Sequence, residues 1–237
     1  MNTVIITIIN IIRMINRVKH INANAAFHSL FRQILVEGTK FDDTIALFNV
    51  GFQINEPMDN HIHDSRKVRR NWKRDYAIAE WDWYLSGDPN ISKLGEIYGK
   101  VPEIWKRMAD KNGNVNSNYG AQWKRDNQIN KVIKMLKDFP ETRKASVSIY
   151  DGKEIGYYKY DTPCTYAVNF TILNNKLDMS VVMRSNDLWY GFCNDQYCFS
   201  RLQEHVAKKI DIEIGTYFHF AQNLHLYNDT IKKITNG

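Results

Sequence analysis

The chain has 237 residues, 43% hydrophobic and 24% charged, which suits one globular domain with a substantial core and excludes a disordered or fibrous chain. Its net charge of +6 favours anionic ligands in general. The basic residues are dispersed apart from Arg66–Lys67–Val68–Arg69–Arg70 and Lys73–Arg74, a pattern read first as solvated surface, with phosphate-bearing ligands second and nucleic acid not expected. In chain order, Met1 to Ile12 comes first: Val4, Ile5, Ile6, Ile8, Ile9, Ile11 and Ile12, broken by Thr7 and Asn10. That run is short of the ~20 residues that span a bilayer, and it lacks a basic lead and a cleavage site. It reads as a buried helix, a strand or a dimer-contacting extension (residues 1–24), and the chain as cytoplasmic.

Residues 25–37 are predicted as a helix, with Phe27, Leu30, Phe31, Ile34 and Leu35 on one stripe and Gly38 as its end. Residues 44–53 follow as a strand. A second helix covers 75–85, closed by Ser86–Gly87–Asp88–Pro89, and a third covers 127–138, stopping before Pro140. Strands are expected at 145–150, 165–173 and 177–183, the last two paired as a hairpin through Asn174–Asn175. A long helix at 195–211 and a strand at 216–221 complete a single α+β domain with a large sheet.

Three cysteines, Cys164, Cys193 and Cys198, have no regular spacing, which argues against a disulfide scaffold and for a reducing compartment. His61–Ile62–His63–Asp64 reads as a solvated loop, so no metal is expected. In Asp161–Thr162–Pro163–Cys164–Thr165 the proline pins the backbone, and an apolar strand follows at once, placing a thiol at the lip of a sheet. A lone free cysteine is ordinarily a small buried hydrophobe. The segment Met183–Arg184–Ser185–Asn186–Asp187 adds an arginine that could lower the thiol pKa or hold a phosphate by paired hydrogen bonds.

These segments resemble the thymidylate synthase family, in the family's order, over residues 25–228. The carrying motifs are Glu80 within Ile78–Gly87, Asn118–Tyr119–Gly120–Ala121–Gln122–Trp123, Pro140–Glu141–Thr142–Arg143–Lys144, Pro163–Cys164, Arg184–Ser185–Asn186–Asp187, and Leu224–His225–Leu226–Tyr227. The resemblance implies an α+β fold, a large twisted mixed sheet covered by helices, with one sheet face forming a homodimer interface. It also implies a one-carbon transferase using 5,10-methylenetetrahydrofolate as co-substrate and a pyrimidine nucleoside monophosphate as substrate. Cys164 would be the nucleophile and Glu80 the proton relay. Arg184 and Ser185 would hold the 5′-phosphate, helped by Arg143 and Lys144 across the dimer. His225 and Tyr227 would hold the sugar, Asn194 and Tyr119 would contact the nucleotide, and Asp187, Trp105 and Glu80 would line the folate site.

Within the family the likeness runs toward the deoxycytidylate hydroxymethylases of T-even phages, which suggests a phage-encoded enzyme acting in a host cytoplasm. Thr165 follows the nucleophile where synthases carry histidine, and Met183 stands where they carry glutamine. Asp195 lies four residues after Gly191, where synthases place the asparagine that reads uracil. Uracil offers an N3–H donor and an O4 acceptor, which an amide complements. Cytosine offers an N3 acceptor and an amino donor, which a carboxyl group with one proton complements. Without the family register, Asp195 would read as a helix N-cap. Two departures stand out. The family's phosphate loop falls within Gly38–Thr44 and has no arginine, leaving Lys40 as a candidate. Only ten residues follow Tyr227, and a shortened tail favours attack by water over hydride transfer.

Overall fold

The computed structural model describes residues 18–66, 68–154 and 161–235; the apolar run at 4–12 lies outside them. Strand β1 (Val18–His20) leads into helix α1 (Ala23–Glu37), whose first turn is capped by the Asn22 side chain accepting from the Ala25 amide at 2.8 Å. Phe27, Leu30, Phe31 and Ile34 are buried as the periodicity requires, but Leu35 is 46% exposed and falls off the stripe. A tight hairpin joins β2 (Thr39–Phe41) to β3 (Thr44–Ile54). The Gly38–Thr44 segment is therefore paired strand and turn.

Helix α2 (Arg74–Ser86) is followed by three short helices, α3 (Ile91–Tyr98), α4 (Glu103–Met108) and α5 (Tyr119–Lys124), then by α6 (Gln128–Asp138). Residues 119–124, a turn by motif, are thus helical. Gly120 is required there: a Cβ would lie 1.7 Å from the Tyr84 carbonyl oxygen, so only glycine lets α5 close on the end of α2.

Strand β4 (Ser146–Ser148) is shorter than expected. Strands β5 (Thr165–Leu173) and β6 (Lys176–Met183) form the expected antiparallel hairpin, turned by Asn174 and Asn175 with φ of 50° and 58°. Strand β7 (Asn186–Asp187) and a π turn (Leu188–Phe192) run into helix α7 (Cys193–Ile210), then β8 (Glu213–Tyr227) and α8 (Asn228–Thr235). Among the described residues the sheet has eight strands, ordered β1-β3-β8-β6-β5-β4, with β2 pairing β3 and β7 pairing β8. β3 and β8 run antiparallel from Thr44↔Tyr227 to Ile54↔Tyr217, whereas β6 and β8 are parallel, which makes the sheet mixed. Its inner face (Phe52, Val168, Met179, Val181, Ala221) packs into one core with Phe27, Trp83, Phe199 and Leu202 of α1, α2 and α7. No helix of the described residues is long and apolar enough to cross a membrane.

Candidate active site

Two strand ends bring Cys164 to Arg184. The β5–β6 hairpin pairs Thr165 with Met183, so the residues just outside it, Cys164 and Arg184, are neighbours although 20 apart in sequence. The Arg184 amide donates to the Cys164 carbonyl at 2.8 Å. Its guanidinium donates to the carbonyls of Pro163 (3.0 Å) and Thr162 (2.7 Å) and lies 3.7 Å from the Cys164 sulfur. On the other side of the turn, Asp161 accepts from the Ser117 amide at 2.7 Å, and its carbonyl accepts from Asn116 at 2.9 Å. The turn carrying the thiol is thus fastened from both flanks.

Burial pushes the Cys164 thiol up to about 11; Arg184 opposes this, and the carboxyls of Asp195, Asp161 and Asp187 add to it. The expectation that the arginine makes a thiolate is correct in direction only. Desolvation outweighs it, and the free thiol keeps its proton at neutral pH. Cys193 and Cys198 are fully buried in α7, and burial likewise raises both thiols.

A second corner holds the acids. Glu80, on α2, is 5% exposed; its Oε1 accepts from the Tyr84 hydroxyl at 3.1 Å, and its Oε2 is buried with no partner. Burial, then the nearby Asp195 carboxyl, raises Glu80 to about 8, against hydrogen bonds from Tyr84 and Tyr76. Trp105, on α4, joins this chain through its indole N–H, which donates to the Tyr76 hydroxyl at 2.7 Å. Tyr119 is buried with its ring stacked on Phe199, 5.3 Å between centroids.

Asp195 is the third residue of α7, and it does not cap that helix. Its Oδ2 accepts from the Asn186 amide nitrogen at 2.7 Å, and burial raises its carboxyl to about 7. The capping is done by Asp187, whose two oxygens accept from the amides of Trp189 (2.9 Å) and Tyr190 (3.2 Å) at the start of the π turn. Burial raises Asp187 to about 6. A π turn at such a place is a frequent functional device, and here it aims Asp195 inward.

The parallel pairing of β7 with β8 sets Asp187 beside His225. His225 is buried, hydrogen-bonded to Asn223 at 2.8 Å, and lowered in pKa mainly by desolvation; Tyr227 lies edge-on to it and is 40% exposed. Ser185 is half-buried between Arg184 and Asn186. Asn194 uses its amide internally, accepting from the Trp72 indole at 2.8 Å and donating to the Tyr190 carbonyl at 3.2 Å. Arg143 and Lys144 are exposed on the segment between α6 and β4, and Lys40 is exposed on β2. The basic run is not wholly solvated: Arg70 is half-buried, donates to the Trp189 carbonyl, and stacks over Trp189 and Tyr190 at 5.6 and 5.4 Å.

Sequence reasoning missed Tyr76, Tyr84, Asn186 as partner of Asp195, Asp161 and Arg70. Tyr76 and Tyr84 were detectable, since they flank Glu80 four residues on either side and so share its helical face. The other contacts cross between elements and leave no local trace.

The sequence model of the thymidylate synthase family matches residues 25–236, and the chain belongs to that family. It is 27% identical over 221 residues to a thymidylate synthase of Corynebacterium aurimucosum, an alignment covering 88% of this chain and 80% of that protein. It is 29% identical to the thymidylate synthase of Vesicomyosocius okutanii, over 67% of this chain and 61% of that one. A thymidylate synthase of Buchnera aphidicola is 31% identical over 65% of this chain and 60% of the relative. The chain therefore spans about 60% of the length of the last two. The residues that the family model matches include both corners of the site.

Proposed function

We propose that this protein is a pyrimidine nucleotide 5-hydroxymethylase, converting deoxycytidylate or cytidylate to the 5-hydroxymethyl nucleotide. The observation that carries the reading is Asp195: a carboxyl group raised to about 7, facing the nucleophile, at the register where an amide would read uracil. A half-protonated carboxyl can donate to N3 and accept from the 4-amino group. An amide held in the orientation that serves uracil would leave one donor facing another, at a cost of about 1–3 kcal/mol.

The chain's residues divide the work as follows. Arg184 and Ser185 hold the 5′-phosphate. A dianionic phosphate beside Arg184 leaves the arginine shared between phosphate and thiol, and the Cys164 proton passes to water as the sulfur bonds to C6. The sulfur bonds to C6, the C5=C6 pair moves toward C5, and the charge is taken up at N3 by the proton of Asp195. The buried donors and acceptors fit a folate: Glu80 Oε2 lacks a partner, and each Asp187 oxygen keeps a free lone pair. Bound methylenetetrahydrofolate supplies the one-carbon unit, held by Asp187, Trp105 and Glu80. Glu80 then directs water to the exocyclic carbon at C5 as the thiolate leaves C6. His225 and Tyr227 hold the sugar, with Tyr119 behind the base and Asn194 at the rim. The active unit is a homodimer, supported by the half-buried Val182, Phe218 and Phe220 on the outer sheet face, with Arg143 and Lys144 reaching the partner's phosphate.

The names of the relatives favour a second reading, methylation of the uracil nucleotide. Incubation with each pyrimidine monophosphate and methylenetetrahydrofolate separates the two. The first reading gives a cytosine product heavier by CH2O, and the second a uracil product heavier by CH2.

A further inference from the structure

Asp195 can serve a base only if its single proton sits on the right oxygen, and the carboxyl group does not choose by itself. Its neighbour does. Asn186 is 2% exposed, and its backbone is fixed by the pairing of β7 with Leu224 of β8. Its amide nitrogen, a donor only, lies 2.7 Å from Asp195 Oδ2. Its amide oxygen is buried with no partner, so nothing else in the described structure holds the group. Room for this contact comes from Gly191, where an added Cβ would stand 3.1 Å from the Asn186 nitrogen and 3.3 Å from Asp195 Oδ2.

We propose that Asn186 is a positioning residue for base choice: its amide nitrogen occupies Oδ2 of Asp195, so the carboxyl proton resides on Oδ1. A cytosine ring then finds Oδ1–H for N3 and Oδ2 as acceptor for the 4-amino group, in one orientation only. A uracil ring would set its O4 against Oδ2, acceptor against acceptor. This inference rests on the proposed reading of Asp195. The titratable groups facing Asp195 are Asp187 on β7, Glu80 and Tyr84 on α2, Tyr119 on α5, Cys164 before β5 and Tyr217 on β8, with Cys193 and Cys198 on its own helix. The hydrogen bond from Asn186 lowers the carboxyl against them.

The test is the binary dissociation constant of deoxycytidylate and of deoxyuridylate, measured by calorimetry without folate from pH 5.5 to 8.5. Wild type, Asn186→Ala and Gly191→Ala are compared. Loss of the donor in Asn186→Ala is expected to weaken deoxycytidylate about tenfold, to move the pH midpoint of binding upward, and to tighten deoxyuridylate a few-fold, since Oδ2 is then free to carry the proton toward O4. Gly191→Ala keeps the amide but crowds the pair, and is expected to weaken deoxycytidylate while Asn186 stays in place. Equal weakening of both nucleotides, or an unmoved midpoint, overturns the inference and leaves Asn186 as packing. If the wild type binds deoxyuridylate more tightly, the cytosine reading fails. The inference then fails with it, whereas a wild type that prefers deoxycytidylate with an unmoved midpoint in Asn186→Ala overturns the inference alone.

Discussion

The corner that holds Cys164 and the corner that holds Glu80 and Asp195 are built on opposite plans. Cys164 has a cation within 3.7 Å, and burial still pushes its thiol up to about 11. Glu80 and Asp195 have no such cation; neutral donors hold them, Tyr84 and Tyr76 for one and Asn186 for the other, and burial raises them to about 8 and about 7. The shared outcome is a set of buried groups whose protons are held more tightly than in water. The difference is that a bound anion can change the first corner through Arg184, while the second responds only to what hydrogen-bonds to it.

The largest expected effect breaks the first corner. Cys164→Ser is expected to reduce turnover to background with the fold intact, because a hydroxyl is far the poorer nucleophile at neutral pH. Cys193→Ser and Cys198→Ser should keep most of the activity in the same assay. Equal loss in all three would remove the distinction between the pocket thiol and the two buried in α7.

Thiol reactivity sharpens the same point. With its thiol at about 11 against an ordinary 9.0, Cys164 should alkylate at pH 7 about 100-fold more slowly than an ordinary exposed thiol, and its rate should climb with pH to that value. Arg184→Ala should slow it further. A rate that levels off below pH 8 would contradict the dominance of burial.

Subunit mixing gives a smaller signal. An Arg143→Ala protein mixed with Cys164→Ser should recover part of the lost activity, since one hybrid site carries neither lesion. No recovery after verified exchange would place each site within one chain.

A further effect lies in stability and belongs to the second corner. Glu80 and Asp195 titrate at about 8 and about 7, against ordinary values of 4.5 and 3.8, so the folded protein holds protons that the unfolded chain releases. Their contribution is complete below about pH 4 and is lost as pH rises through 7 and 8. Between pH 5 and 9 the wild type should lose several kcal/mol more unfolding free energy than Glu80→Gln/Asp195→Asn, at about 1.4 kcal/mol per pH unit for each group, measured by denaturant titration. An asparagine oxygen at 195 can still accept from Asn186, so the variant keeps that contact.

How much of this was legible in the sequence follows from where each interaction lies. The β5–β6 hairpin was visible because strand alternation and Asn174–Asn175 are local signals, and the adjacency of Cys164 and Arg184 follows from its register. α1, α2 and α6 were visible for the same reason. α4 and α5, at six residues each, are too short to show a period. β8 was placed at 216–221 although it extends from Glu213 to Tyr227, since its polar ends break the apolar run. Asp195 read as a possible cap because propensity favours that role; the π turn gave the cap to Asp187 and freed Asp195 for Asn186. The hydrogen bond from Asn186 to Asp195 joins β7 to α7 and has no signature at either residue.

The measurement that bears most directly on the account is base choice by wild type and Asp195→Asn. The kcat/KM of each is determined on cytosine and uracil monophosphates with methylenetetrahydrofolate present. The account predicts a wild type that prefers the cytosine nucleotide, and a variant whose preference ratio moves toward uracil by about 100-fold. A wild type that already prefers the uracil nucleotide, or a variant that loses both activities equally, would contradict it.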